Sequence, residues 1–180
     1  MPGGPKILIS ALAACLFSSL SWIPGAAPAP GGSRQETQDL AVIVHPKNPA
    51  TNLDLDALRT YFKLERQFWP DKKRVKLFLR PSRSLEMQIL EDVVYRMSSS
   101  ELRKYWIGKV FRGEIPAKPA IVPTASAAGA RVRDVPEAFT VVLANEVPEG
   151  VRVLTIDGKK PGDAGYPLRQ VSASAGRLAP

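Results

Sequence analysis

The segment Arg80-Pro81-Ser82-Arg83-Ser84-Leu85-Glu86 places two guanidinium groups, two hydroxyls and a carboxylate within seven residues. If a strand ends near Arg80 and a helix starts near Leu85, the first turn presents free backbone N–H groups. The positive end of the helix dipole lies there too, and together they attract an oxyanion. Arg80 can hold such an ion through two parallel bonds, and the hydroxyls of Ser82 and Ser84 can donate. Arg83 adds a second positive charge. Arg80, Ser82, Arg83 and Ser84 are therefore the candidate anion-binding residues, with inorganic phosphate or sulfate as the ligand class. The same residues also suit a plainer arrangement, with Ser84 as a helix cap, Glu86 as a partner of the helix dipole and both arginines in water. Glu86 works against binding, because its carboxylate competes for the N–H groups an anion would use.

Other chemistry is sparse. His45 is the sole histidine and Cys15 the sole cysteine, so no histidine cluster or thiolate metal site forms, and no metal or cofactor is expected. No glycine-rich phosphate loop of the Walker type and no recognisable Ser/His/Asp set is present, so an enzyme is not expected. His45 reads as a polar residue closing a strand, and Glu91-Asp92 as a solvated helix face. Tyr105, Trp106 and Phe111 read as core aromatics.

The elements that must position the loop follow from periodicity. Leu40-Ala41-Val42-Ile43-Val44 is a continuous apolar run, the pattern of a strand buried on both faces. His45-Pro46-Lys47-Asn48-Pro49 stops it. Asp54 caps a helix with Leu55, Leu58, Tyr61 and Phe62 on one face, ending by about Lys63. Trp69-Pro70-Asp71 forces a turn. Val75, Leu77 and Leu79 then alternate with Lys76, Phe78 and Arg80, which is strand spacing. From Ser84 a second helix aligns Leu85, Ile89, Val93 and Met97 in one stripe, widened by Leu90 and Val94. Ser98 and Glu101 form a capping box for a third helix that ends at Gly113. Ile121-Val122 suits a short strand. Residues 125–134 suit an alanine-rich helix weakened by Gly129, and Phe139–Leu143 and Val151–Leu154 suit strands. This alternation defines one α/β domain, a mixed sheet flanked by helices.

The chain has 180 residues and a net charge of +8, to which Lys6 contributes one. Lys6, the uncharged run of residues 7–23 and the small residues after it have the form of a secretory signal. The cut falls near Ala27 or Ala29. Alternatively, Leu12-Ala13-Ala14-Cys15 acts as a lipobox and Cys15 carries the lipid. Residues 1–29 are read as signal peptide, 30–39 as linker, 40–168 as the domain and 169–180 as a disordered tail. Export to the periplasm or beyond removes nucleic acid as the partner for the basic charge. It leaves an oxyanion or an envelope protein, and a membrane only if Cys15 is lipidated.

Six pieces in order resemble one lobe of the phosphate-type substrate-binding proteins of ABC transporters, the periplasmic-binding-protein-like family. They are Val42 through Pro49, Leu53 through Phe62, Trp69-Pro70-Asp71, Arg80 through Ser84, Tyr105-Trp106 and Phe111-Arg112-Gly113. The stretch Asp157 through Leu168 is similar to the family's end. The resemblance implies a single-lobe small relative that binds or presents an oxyanion, with Arg80 and Ser84 as ligating residues. The departures favour a second possibility. Ser82, Arg83, Leu85 and Glu86 stand where the family has aspartate, glycine, glycine and threonine, and Pro136 through Val141 lacks the family's glycines and tyrosine. The alternative is therefore an envelope interaction or accessory protein with a degenerate anion site.

Overall fold

The computed structural model describes residues 37–171. The signal segment, Cys15, most of the linker and the tail beyond Val171 lie outside the described residues. The apolar run forms strand β1 (Thr37–Val44). A two-residue strand, β2 (Asn52–Leu53), precedes helix α1 (Leu55–Phe62), where the Asp54 carboxylate accepts from the Ala57 N–H. Strand β3 (Lys76–Leu79) ends at Arg80 and leads to the short helix α2 (Leu85–Ile89). Helix α3 (Ser99–Phe111) starts at the expected capping box, with both reciprocal bonds made. Strand β4 (Ala120–Ile121), helix α4 (Ala125–Asp134) and strand β5 (Ala138–Leu143) follow. The short strands β6 (Arg152–Val153), β7 (Thr155–Ile156) and β8 (Arg169–Val171) complete the set.

The main sheet is mixed, in the order β4-β3-β5-β1-β6. Strand β3 runs parallel to both β4 and β5, and β5 is antiparallel to β1. The other edge of β1 is shared, with β6 covering Ile43–Val44 and β8 covering Thr37–Asp39. Strands β2 and β7 form a separate parallel pair.

Burial explains why the β1 sequence does not alternate. Leu40, Val42 and Val44 face one core with Leu58, Tyr61, Phe62, Trp69 and Phe139. Ala41 and Ile43 face a second core with Val132, Ala138 and Val142. The sheet is thus covered by α1–α3 on one side and α4 on the other, a three-layer arrangement. The Trp69 ring lies 4.6 Å from Tyr61 and 5.6 Å from Phe139, centroid to centroid. Its Nε1–H donates to the Glu137 carbonyl at 2.9 Å, so this corner of the chain anchors the sheet.

Three expectations are corrected. Strand β1 begins at Thr37, before the expected linker boundary, and Arg169–Val171 is a strand instead of the start of a disordered tail. The cause is electrostatic. Arg169 grips the Asp39 carboxylate with Nε at 2.5 Å and Nη2 at 2.7 Å, and the Gly162 N–H adds a bond at 2.6 Å. The Arg169 bond, helped by Gly162, holds the Asp39 carboxyl below its ordinary pKa against the opposing effect of burial. Secondly, the helix after Ser84 is not uniform. It becomes a π-helix over Leu90–Tyr95 and closes at Arg96, which is left-handed with φ 53°. The wider turn brings Tyr95 into the core beside the expected Leu90 and Val94, while Val93 and Met97 of the expected stripe are only half-buried. Thirdly, Phe111 is not a core residue, being 91% exposed, whereas Trp106 is buried.

Gly129, which weakens the α4 pattern, has a packing reason. A Cβ there would lie 2.6 Å from the Pro148 ring, so the glycine lets the 147–149 segment close on the helix.

Candidate functional site

The Arg80–Ser84 loop sits where β3 ends, between the sheet and the first turn of α2. Its geometry differs from an open anion cradle. Arg80 is 8% exposed, and its guanidinium is already engaged. Nε donates to Glu86 Oε1 at 2.8 Å and Nη1 to the Val122 carbonyl at 3.0 Å. Glu86 is 4% exposed, so this is a buried ion pair and not the solvated dipole partner the sequence suggested. Burial of both groups explains why they stay together. Either one alone in that environment would be an uncompensated charge.

The remaining loop residues divide. Ser84 caps α2, its hydroxyl accepting from the Met87 N–H at 3.2 Å, and its own N–H donates to the Pro81 carbonyl at 2.8 Å. Its N–H and one acceptor position of its hydroxyl oxygen thus serve the turn. Ser82 and Arg83 are exposed at the tip. Arg80 and Ser82 line one cavity of about 270 Å³, and Arg83 and Ser84 are not among its lining residues.

That cavity contains residues the sequence reading did not select. Arg103 of α3 and Lys118 of the following loop bring positive charge to its wall, with Ser99, Glu91 and the buried Trp106. The Glu91 carboxylate, expected on a solvated face, takes the Ser99 hydroxyl at 2.7 Å. Trp106 keeps an Nε1–H with no protein partner among the described residues. Arg103 and Lys118 belong to segments distant in sequence from Arg80, so no local spacing could have grouped them. Glu86 was within reach of inspection, because a strand end and a first helical turn bring positions 80 and 86 together. Among the described residues no group of three metal-ligating side chains comes together. His45 accepts the Lys47 N–H on Nδ1 at 3.0 Å, closing its turn.

The mixed sheet flanked by helices is, as a fold, periplasmic-binding-protein-like. Solved structures agree on the fold. A phosphate transport receptor of the ABC type from Vibrio cholerae is 16% identical, with a TM-score of 0.58 over 77% of this chain and 59% of that one. PstS from Borrelia burgdorferi is 14% identical, with a TM-score of 0.60 over 75% and 55%. A protein from Clostridium perfringens, described as a phosphate ABC transporter substrate-binding protein and solved with phosphate bound, is 15% identical, with a TM-score of 0.56 over 69% and 47%. The chain therefore spans about half the length of these proteins. No protein-family profile and no curated protein sequence matches it.

Proposed function

We propose that this chain is an exported accessory protein of the cell envelope, built on a substrate-binding lobe whose anion loop is filled from within. The observation that carries this reading is the buried Arg80–Glu86 pair at 2.8 Å. The carboxylate sits on the arginine where an oxyanion would otherwise bind, and two N–H groups of the loop and first turn are already taken, that of Met87 by the Ser84 hydroxyl oxygen and that of Ser84 by the Pro81 carbonyl. The protein then acts through its surface rather than by carrying a solute. The likeness in fold to proteins named as phosphate receptors supports the lobe, and the signal-like sequence of the N-terminal segment supports the periplasm or the cell exterior.

A second reading keeps weak oxyanion capture. Arg80, Arg103 and Lys118 share one cavity with Ser82, and that positive wall favours it. An ion held there stays partly in water, where charge-assisted contacts are screened. Affinity would then be on the order of millimolar, equivalent to roughly 4 kcal/mol.

An NMR titration at low ionic strength separates the two. The first reading expects the amides from Arg80 to Leu85 to be unmoved by about 50 mM phosphate beyond a chloride control. Saturable shifts of those amides with a millimolar midpoint would overturn it in favour of weak capture.

A further inference from the structure

Helix α3 carries an apolar surface that the fold does not use. Its buried side is formed by Leu102, Trp106 and Lys109. On the outer side stand Phe111, 91% exposed, Ile107, 54%, and Val110, 37%. Positions 107, 110 and 111 are three and four apart and share one helix face. They border a shallow groove against Pro116, Ala117 and Lys118. One turn earlier on the same outer side are Arg103 and Lys104, and both are exposed, as is Lys118. Among the described residues none of these three cations has a carboxylate within ion-pair distance, whereas Arg112 and Lys109 share Glu114. Between positions 101 and 118 there are five basic residues and only two acidic ones, Glu101 and Glu114. Glu101 is held by the Ser98 cap.

We propose that this face of α3 is a membrane-surface site, with Phe111 and Ile107 entering the interface of an anionic lipid bilayer while Arg103, Lys104 and Lys118 meet the headgroups. Three observations select this occupant. Phe111 stays 91% exposed even though it borders the groove, which suits insertion into lipid better than capture of a peptide. Apolar side chains ringed by Lys and Arg match an anionic interface in both chemistry and charge. A second copy is disfavoured, because a two-fold contact would set this basic ring against itself in a chain of net charge +8. Strand addition at the neighbouring sheet edge is blunted by Pro119 and Pro123 on either side of β4. Arg103 and Lys118 also line the cavity beside Arg80, but Ile107, Val110 and Phe111 do not, so a readout at position 110 tests this face separately from the function proposed above. It also gives the protein a lipid contact that needs no lipidated cysteine.

The full chain contains the apolar run of residues 7–23, so bulk vesicle binding does not test the proposal, and the readout must be local. In a Cys15→Ser background, Val110→Cys carries a polarity-sensitive dye, and Arg131→Cys, exposed on α4 across the sheet, carries the same dye as a control. Vesicles of phosphatidylethanolamine with about one-third phosphatidylglycerol should blue-shift the dye at 110 and leave that at 131 unchanged. Neutralising Arg103, Lys104 or Lys118 should each weaken the response about fivefold, and Phe111→Ser about tenfold. All four positions are exposed, so these variants should fold. The proposal fails if position 110 shows no shift, if 131 shifts equally, or if pure phosphatidylcholine vesicles act as strongly. A shift given only by a membrane-free envelope protein fraction would assign the face to a protein and also overturn it.

Discussion

Replacing Glu86 by alanine tests the self-filled loop directly. The change leaves the Arg80 guanidinium buried, with one remaining bond, from Nη1 to the Val122 carbonyl. Breaking a buried pair by removing one partner costs roughly 3–5 kcal/mol. The adjoining cavity of about 270 Å³ gives water some access to Arg80, so the lower end, about 3 kcal/mol, applies. For a domain of this size that is a fall in Tm of about 9 °C. The truncated side chain also opens the place of the missing charge. If phosphate enters with a millimolar Kd, about 50 mM restores about 2 kcal/mol, or some 6 °C. Wild-type protein should gain less than about 1 °C over chloride of equal ionic strength. Glu86→Gln keeps an acceptor for Arg80 Nε without opening space, so it should lose less stability and show no phosphate rescue. Differential scanning calorimetry in matched phosphate and chloride buffers reads all three proteins. A loss under about 1 kcal/mol in Glu86→Ala would refute the argument. So would a phosphate gain in wild type equal to that in the variant.

Two further outcomes follow from other parts of the fold. Asp39 has its pKa lowered in the folded state by Arg169, so its contribution is complete above the ordinary carboxylate value of 3.8 and is lost as pH falls below it. Asp39→Asn should therefore melt earlier at pH 7 by roughly 2 kcal/mol, with the gap narrowing below about pH 4. A gap that does not change with pH would count against the pairing of β1 and β8 through this contact. Gly129→Ala should destabilise by about 1–3 kcal/mol in urea unfolding, despite the better helix propensity of alanine, because its Cβ would meet the Pro148 ring at 2.6 Å. A stabilised variant would show that the 147–149 segment moves away freely.

Elements governed by local rules were legible in the sequence. The Asp54 cap, the Ser98–Glu101 box and the doubly buried β1 run occur where periodicity and capping chemistry place them. What failed depended on distant partners. The end of the sheet needed Arg169 to find Asp39, 130 positions away. The π-helix arises because Tyr95 is drawn into the core, its hydroxyl donating to the Phe62 carbonyl at 3.1 Å, and no helical stripe reveals that preference. The candidate site was half legible. The strand-to-helix position of the loop was legible, but the partner of Arg80 was not, since a first-turn glutamate reads equally well as a dipole partner or as a buried counter-ion. Burial, which local spacing does not encode, decides between them.

The same physics explains why a loop of this kind can hold a carboxylate of its own. An arginine buried at a strand end requires a negative partner. The described residues form one lobe, and against a single lobe a free anion keeps much of its hydration and gains little from screened contacts. Glu86 has no such handicap. It lies six positions from Arg80 across a tight turn, so its effective concentration at the guanidinium far exceeds that of any solute at millimolar levels. Its desolvation is offset within the folding transition and not in a separate binding step. An internal carboxylate therefore outcompetes an external oxyanion unless a second surface closes over the ion. Within the described residues no such second surface faces Arg80, and the Arg80–Glu86 pair is the arrangement this balance favours.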